Sequence, residues 1–207
     1  EATADSDAVA STTYTIYPNP HSITYNAGEP FAFKKDINVV LEDGIDAATK
    51  EKAFRLLSEK EEKAHLGTAI SSTQPNLLLG IYQSGKTIDS ASASSLEAYS
   101  NLFLKNDAYY LNIDKANITL VGKDSDAVFM GLSSLSFIFE QSQTEIRPLT
   151  IADYSDARYR GFIEGYYGVP WTSEERISLM EFGEKFKTNI YIYAPKDDSY
   201  HASNWRG

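Results

Sequence analysis

The chain has 207 residues, 42% of them hydrophobic and 23% charged, which suits one or two domains with a sizeable buried core. Its net charge is −10, from 29 acidic against 19 basic residues, and a field of that sign repels phosphate backbones and anionic lipid headgroups. No apolar run approaches the roughly 20 residues that span a bilayer, cysteine is absent, and three dispersed histidines (His21, His65, His201) show no metal-ligand spacing.

Residues 1–13 (EATADSDAVASTT) are small, polar and acidic without periodicity, and predict a disordered lead-in. They fit what remains after removal of a signal peptide, so a secreted or cell-surface location is expected, although no n-region or h-region is present. TYTIYP (13–18) alternates as a strand and stops at Pro18-Asn19-Pro20. HSITYN (21–26) gives a second strand, and FAFKKDINVVLE (31–42) one or two more. Asp46 to Leu66 reads as a helix, with Ala53, Leu56, Leu57 and Ala64 on one face and Gly67 as its stop. NLLLGIY (76–82) is a continuous apolar run, the pattern of a strand covered on both faces. The Ser/Ala-rich stretch 84–95 reads as a loop. AYYLNID (108–114) and NITLVG (117–122) predict a hairpin. Asp124 to Phe139 predicts a second helix whose buried stripe is Val128, Leu132, Leu135, Ile138 and Phe139, with Gly131 allowing close packing. IRPLTIADY (146–154) is extended, with Pro148 suited to an edge. Strands interleaved with two helices over residues 14–155 make one α/β domain, and DYSDAR (153–158) marks its boundary.

From residue 158 onward the pattern is strand, helix, strand. RGFIEGYYG (160–168) supplies the first strand and the loop leaving it, and Thr172 with Glu175 forms a T-x-x-E capping box. Leu179, Phe182, Gly183 and Phe186 predict the buried face of the helix, and TNIYIYAP (188–195) is the second strand. Such a unit is a parallel βαβ, and one alone cannot cover both faces of its sheet. It is expected to open something larger.

Ligands of α/β sheets and barrels meet the loops at the carboxyl ends of strands, here residues 164–168 and 194–198. Gly165 admits close approach to the backbone, and Lys196 presents a cation that can hydrogen-bond sugar hydroxyls. Equally, Gly165 can serve only to relieve crowding, and Lys196 can serve only to pair with Asp197 or Asp198. Asp197-Asp198 is a carboxylate pair of the kind glycosidases use, but neighbours in an extended segment point to opposite faces. Surface charge in a loop is the simpler reading of that pair. Glu164 on a central strand demands a partner, and reads as polar core or as support for a site. His201 has the chemistry of an acid or base with nothing to fix its neighbours, and Trp171 and Trp205 flank the loops as packing or as sugar platforms. EGYYG lacks the glycine spacing and basic residue of a phosphate loop, which disfavours a nucleotide-binding protein.

RGFIEGYYGVPW (160–171) followed by NIYIYAPKDDSYHASNWR (189–206) strongly resembles the opening of the catalytic barrel of glycoside hydrolase family 84. That family holds bacterial β-N-acetylglucosaminidases, enzymes known as hyaluronidases, and the animal O-GlcNAcases. YPNPHSITYNAG (17–28) and DAVFMGLSSLSFI (126–138) resemble, more weakly, the α/β domain that precedes this barrel and the barrel of family 20 hexosaminidases. The resemblance implies a mixed-sheet α+β domain with two helices over 14–155, then the first βαβ of an incomplete TIM (β/α)8 barrel over 158–207. It implies that Gly165 and Lys196 line the pocket for a terminal N-acetylglucosamine, with Glu164, Tyr167, Asp197 and Asp198 in supporting positions. Tyr166 departs mildly from the family, standing where Phe is common. The implied mechanism is retaining and substrate-assisted: the acetamido oxygen of the sugar attacks its own anomeric carbon, and an adjacent aspartate pair orients that group and moves the proton. In the family that pair lies on a later barrel strand, so no catalytic group is expected in this chain, and residues 1–207 alone are expected to be inactive. No metal or cofactor is implied. The expected partners are N-acetylglucosamine-containing glycans or glycoproteins. The alternative is a non-catalytic carbohydrate-binding or adhesion module on the same fold, distinguished by the absence of a later aspartate pair.

Overall fold

The computed structural model describes residues 9–33, 36–60, 62–83, 96–164 and 171–193. The chain divides into two compact units, Glu1–Asp156 and Ala157–Gly207. In chain order the first unit contains strands β1 (Ser22–Tyr25), β2 (Phe31–Ala32) and β3 (Ile37–Leu41), helix α1 (Ala47–Glu59), and strands β4 (Ala64–Gly67) and β5 (Asn76–Ile81). A 3-10 turn (Leu102–Leu104) precedes β6 (Tyr109–Ile113), β7 (Asn117–Gly122), helix α2 (Ser125–Gln141), β8 (Glu145–Ile146) and β9 (Leu149–Asp153). Seven strands form one sheet in the order β1-β9-β6-β7-β5-β3-β4. The half from β7 to β4 is parallel, and the half from β7 back to β1 is antiparallel. This is the mixed sheet with two helices that the resemblance implies.

The apolar run of β5 is explained by cover on both faces. Val40, Leu78, Tyr110 and Val121 pack with Leu96 and Phe103 in one buried cluster. Their strand neighbours point the other way, toward α2, which packs on β5, β6, β7 and α1. A Cβ added at Gly131 of α2 would lie 2.5 Å from Leu120 Cδ1 and 3.0 Å from the Tyr109 ring. Both helices begin at a side-chain cap: Asp46 Oδ1 accepts from Thr49 N at 2.8 Å, and Asp124 Oδ1 accepts from Ala127 N at 2.9 Å.

At the entrance of the parallel half, three asparagines stand side by side. Asn38 on β3 is paired in register with Asn76 on β5, and Asn76 with Asn117 on β7. Asn38 Nδ2 donates to Asn76 Oδ1 at 2.8 Å, and Asn76 Nδ2 donates to Asn117 Oδ1 at 2.9 Å. Asn76 is fully buried and Asn38 nearly so. Each buried amide thus has its partners within the ladder and adjoining backbone.

Several expectations need correction. Residues 13–18 are not a strand, although Tyr14 and Ile16 are buried as the alternation implies. The backbone here is satisfied by side chains instead: Tyr14 N donates to Tyr25 Oη at 2.8 Å, Thr15 N to Gln141 Oε1 at 2.9 Å, and Gln141 Nε2 to Thr15 O at 2.8 Å. Residues 9–11, inside the stretch read as lead-in, are helical. The first helix ends at Glu59 rather than Leu66, because Ala64–Gly67 is recruited as a parallel edge strand on β3. Ala64 therefore does not share the helix face, and Gly67 is not a helix stop. A Cβ at Gly67 would meet Asn38 Oδ1 at 1.9 Å, so glycine lets the two strands close over the asparagine. Pro148 does not mark an edge, since β9 lies between β1 and β6; it precedes the ladder, and its carbonyl accepts from Asn26 N at 2.9 Å.

The second unit has strand β10 (Gly161–Ile163), helix α3 (Ser173–Lys185) and strand β11 (Ile190–Ile192). The strands are parallel, with Gly161 opposite Ile190 and Ile163 opposite Ile192. The capping box is complete: Glu175 N donates to Thr172 Oγ1 at 3.2 Å, and Thr172 N to Glu175 Oε2 at 2.7 Å. A Cβ at Gly161 would sit 1.7 Å from the Ile190 carbonyl oxygen, so only glycine lets the strands approach at this point. The expected buried face of α3 is corrected. Gly183 is its one buried residue, while Phe182 is 60% exposed and Leu179 and Phe186 are half-buried. Ile163, Ile190 and Ile192, on the sheet face away from the helix, are exposed too.

Candidate functional site

Two parallel neighbours end on the same side of their sheet, so the sequence that follows β10 and the sequence that follows β11 start together. Glu164 N donates to Ile192 O at 3.0 Å and carries the ladder one step past β10. The register sets Phe162 beside Tyr191, which places Glu164, Tyr191 and Tyr193 on one face of the pair. That face carries α3: a Cβ at Gly183 would lie 2.8 Å from Phe162 Cε2.

Glu164 is 2% exposed, and its hydrogen bonds with described residues all come from donors. Arg176, in the first turns of α3, clamps it with two parallel bonds, Nε to Oε2 at 2.6 Å and Nη2 to Oε1 at 2.8 Å. The Tyr191 hydroxyl donates to Oε2, and Trp171 N donates to Oε1 at 3.3 Å. The Arg176 guanidinium in turn lies 4.6 Å from the centre of the Tyr193 ring. Arg176, ahead of the opposing cost of burial, holds the Glu164 carboxyl down to about 2. The same carboxylate pushes the Arg176 pKa up. Burial, with the bond to Glu164 behind it, raises the Tyr191 hydroxyl. A carboxylate so fixed stays ionised near neutrality and cannot shuttle a proton there. It can brace the elements that donate to it.

Glu164 therefore answers the demand for a partner that its place on a strand created. Trp171 is 42% exposed and enters through its backbone N–H rather than through its ring. Gly165, Tyr167, Lys196, Asp197 and Asp198 lie outside the described residues, as do His201 and Trp205. Arg176 and Tyr191 were not anticipated. They stand 12 and 27 residues from Glu164, and the available signal was the strand parity that puts Tyr191 on the face of Glu164. Among the described residues no cluster of three or more His, Asp or Glu is placed to hold a metal ion, and no helix is long and apolar enough to cross a membrane.

The two units match two families. Residues 13–154 match the glycosyl hydrolase family 20, domain 2, family, and residues 160–207 match the β-N-acetylglucosaminidase family. The solved structure of CpGH84D superposes on 94% of this chain with a TM-score of 0.87 and 41% identity. The chain belongs, through residues 13–154, to the glycosyl hydrolase family 20, domain 2, family, and it is similar to the CpGH84D structure along nearly its whole length. The structure of CpGH84B also covers 94% of this chain, with a TM-score of 0.72 and 26% identity. The Protein O-GlcNAcase of Rattus norvegicus is 48% identical over 46 residues, 22% of this chain. The chain spans 33% of the CpGH84D chain and 32% of the CpGH84B chain, and the aligned stretch is 5% of the rat protein.

Proposed function

We propose that this chain is the front part of a retaining family 84 β-N-acetylglucosaminidase, in which the second unit opens a (β/α)8 barrel completed by further sequence. The enzyme removes terminal β-linked N-acetylglucosamine from glycans or glycoproteins outside the cell. The sugar's acetamido oxygen attacks the anomeric carbon from within the substrate, and a later aspartate pair orients it and transfers the proton to and from the leaving oxygen. Gly165 and Lys196 hold the terminal sugar, the glycine by allowing close backbone approach and the lysine by donating to hydroxyls. Asp197 and Asp198 support that pocket and carry no proton transfer.

The observation that carries this reading is the parallel pairing of β10 with β11, since it starts residues 165 and onward and residues 194 and onward from one end of the sheet. The exposed apolar residues of α3 and of the outer sheet face support it further, as a barrel covers both faces of every strand. Residues 1–207 lack the aspartate pair and turn over no substrate by themselves.

Hydrolysis of a fluorogenic aryl N-acetylglucosaminide tests this. The longer protein is expected to be active, residues 1–207 inactive, and Lys196→Ala in the longer protein slower by roughly tenfold to a hundredfold, the loss of a charged hydrogen bond of about 1.5–3 kcal/mol. A folded longer protein that binds the sugar without cleaving it would make this a carbohydrate-binding module. Turnover by residues 1–207 would place the chemistry within this chain.

A further inference from the structure

We infer that Arg176 and Tyr191 are positioning residues for the sugar site, acting through the Glu164 carboxylate to fix the end of β10 where the pocket segment begins. This rests on the glycosidase reading above. Glu164 is joined by one peptide bond to Gly165, and its Oε1 accepts from Trp171 N at the far end of the 165–170 segment. One carboxylate thus holds both described ends of that segment. Arg176 ties the same carboxylate to α3 with two bonds, and Tyr191 ties it to β11, the strand that leads to Lys196.

Stability alone is a poor reason for such an arrangement. A buried ion pair is often matched or bettered by apolar residues of equal volume, because both charges must be stripped of water. The second unit does not lack apolar residues: Ile163, Ile177 and Phe182 are all more than half exposed. What the ion pair supplies and an apolar contact does not is direction. Two parallel N–H···O bonds fix the plane of the carboxylate, and the Tyr191 and Trp171 donors fix its rotation. The side chain of Glu164 is then locked, and the backbone that leads into Gly165 with it. Lysine in place of Arg176 keeps the charge but cannot make both bonds in one plane.

The consequence is kinetic. In the glycosidase reading, Gly165 and Lys196 hold the sugar before and during bond cleavage, while the proton-transferring aspartates lie elsewhere. Loosening the brace therefore weakens ground state and transition state alike, which raises KM and spares kcat. The test is steady-state hydrolysis of an aryl N-acetylglucosaminide by the longer protein and its Arg176→Gln, Arg176→Lys, Glu164→Gln and Tyr191→Phe variants, with melting temperature measured on each. Arg176→Gln is expected to raise KM about tenfold with kcat within about threefold. Tyr191→Phe, which removes one bond and no charge, should move KM the same way by about twofold to threefold, and Arg176→Lys should not restore the wild-type KM. Variants whose melting temperature or active fraction falls while KM stays at the wild-type value would show a purely structural ion pair and overturn the inference. If Arg176→Gln fails to fold, Tyr191→Phe decides by the same split. Absence of turnover in the wild-type longer protein would sink the glycosidase reading and this inference together, whereas normal turnover with unshifted KM sinks only the inference.

Discussion

The two units of this chain solve the same packing problem with different means. In the first, both faces of the central strands of a seven-stranded sheet are covered, and residues such as Leu79, Leu111, Leu120 and Leu135 are completely shielded from water. In the second, two short strands and one helix bury a glycine, a glutamate and a lysine fully, while phenylalanine, isoleucine and tryptophan side chains remain in water. The first unit is held by the removal of apolar surface, which needs many neighbours and no particular direction. The second is held by capping, a close strand approach and a directed ion pair, which need few neighbours in fixed places. The lesson is that a segment can have well-made local geometry and still leave its apolar surface unspent.

That contrast can be broken most severely in the first unit. Leu111→Ala, at a completely buried position of β6, should cost about 2–5 kcal/mol, read as a lowered denaturant midpoint of the main unfolding transition. A shift under about 1 kcal/mol would mean that the sheet is less closely packed than its burial indicates. Gly161→Ala comes next. With its Cβ directed into the Ile190 carbonyl, it should part β10 from β11 at a cost of about 1–3 kcal/mol and abolish amide protection there, leaving the first unit's midpoint unchanged.

The ion pair sharpens the comparison through pH. The Glu164 carboxyl is depressed to about 2, chiefly by Arg176, against an ordinary value of 4.5. Its contribution is therefore fully present above pH 4.5 and is lost as pH falls through about 2. Protection of the Trp171 amide and of the start of α3, relative to intrinsic exchange, should fall progressively as pH drops from 4.5 to about 2, and Glu164→Gln should remove that dependence. Protection that does not change between pH 4.5 and about 2 would show that Arg176 does not hold the carboxylate. The smallest effect belongs to Phe182→Ala: within about 0.5 kcal/mol in residues 1–207, because the ring is mostly exposed. In the longer protein the same change should cost about 3–5 kcal/mol if further sequence covers it.

Much of the first unit was legible from periodicity. The hairpin of β6 and β7 and the stripe of α2 are stated by alternation and by 3.6-residue spacing, and both elements are where those patterns put them. Ala64–Gly67 was not legible, because alanine and leucine beside a run of Glu and Lys carry helix propensity, and only pairing with β3 makes them a strand. Tyr14 and Ile16 show the converse failure. Their alternation correctly states burial, but it cannot state that Tyr25 and Gln141 side chains, rather than a neighbouring strand, take the backbone bonds. At the candidate site, the need of Glu164 for a partner was readable, since an acid on a central strand must be paired. Which partner was not readable, because Arg176 meets it through the packing of α3 and not through any sequence spacing.

The asparagine ladder has a consequence for how the sheet finds its pairing. β3, β5 and β7 are apolar enough to slide past one another with little loss of contact, so hydrophobicity alone tolerates errors of alignment. A slip of one residue on any of them would turn an asparagine to the opposite face, and a slip of two would part the paired amides from one another. Each stranded amide would cost about 1–3 kcal/mol. Two hydrogen bonds between Asn38, Asn76 and Asn117 thus act as a proofreading step, admitting one alignment of three otherwise interchangeable strands and taxing every other.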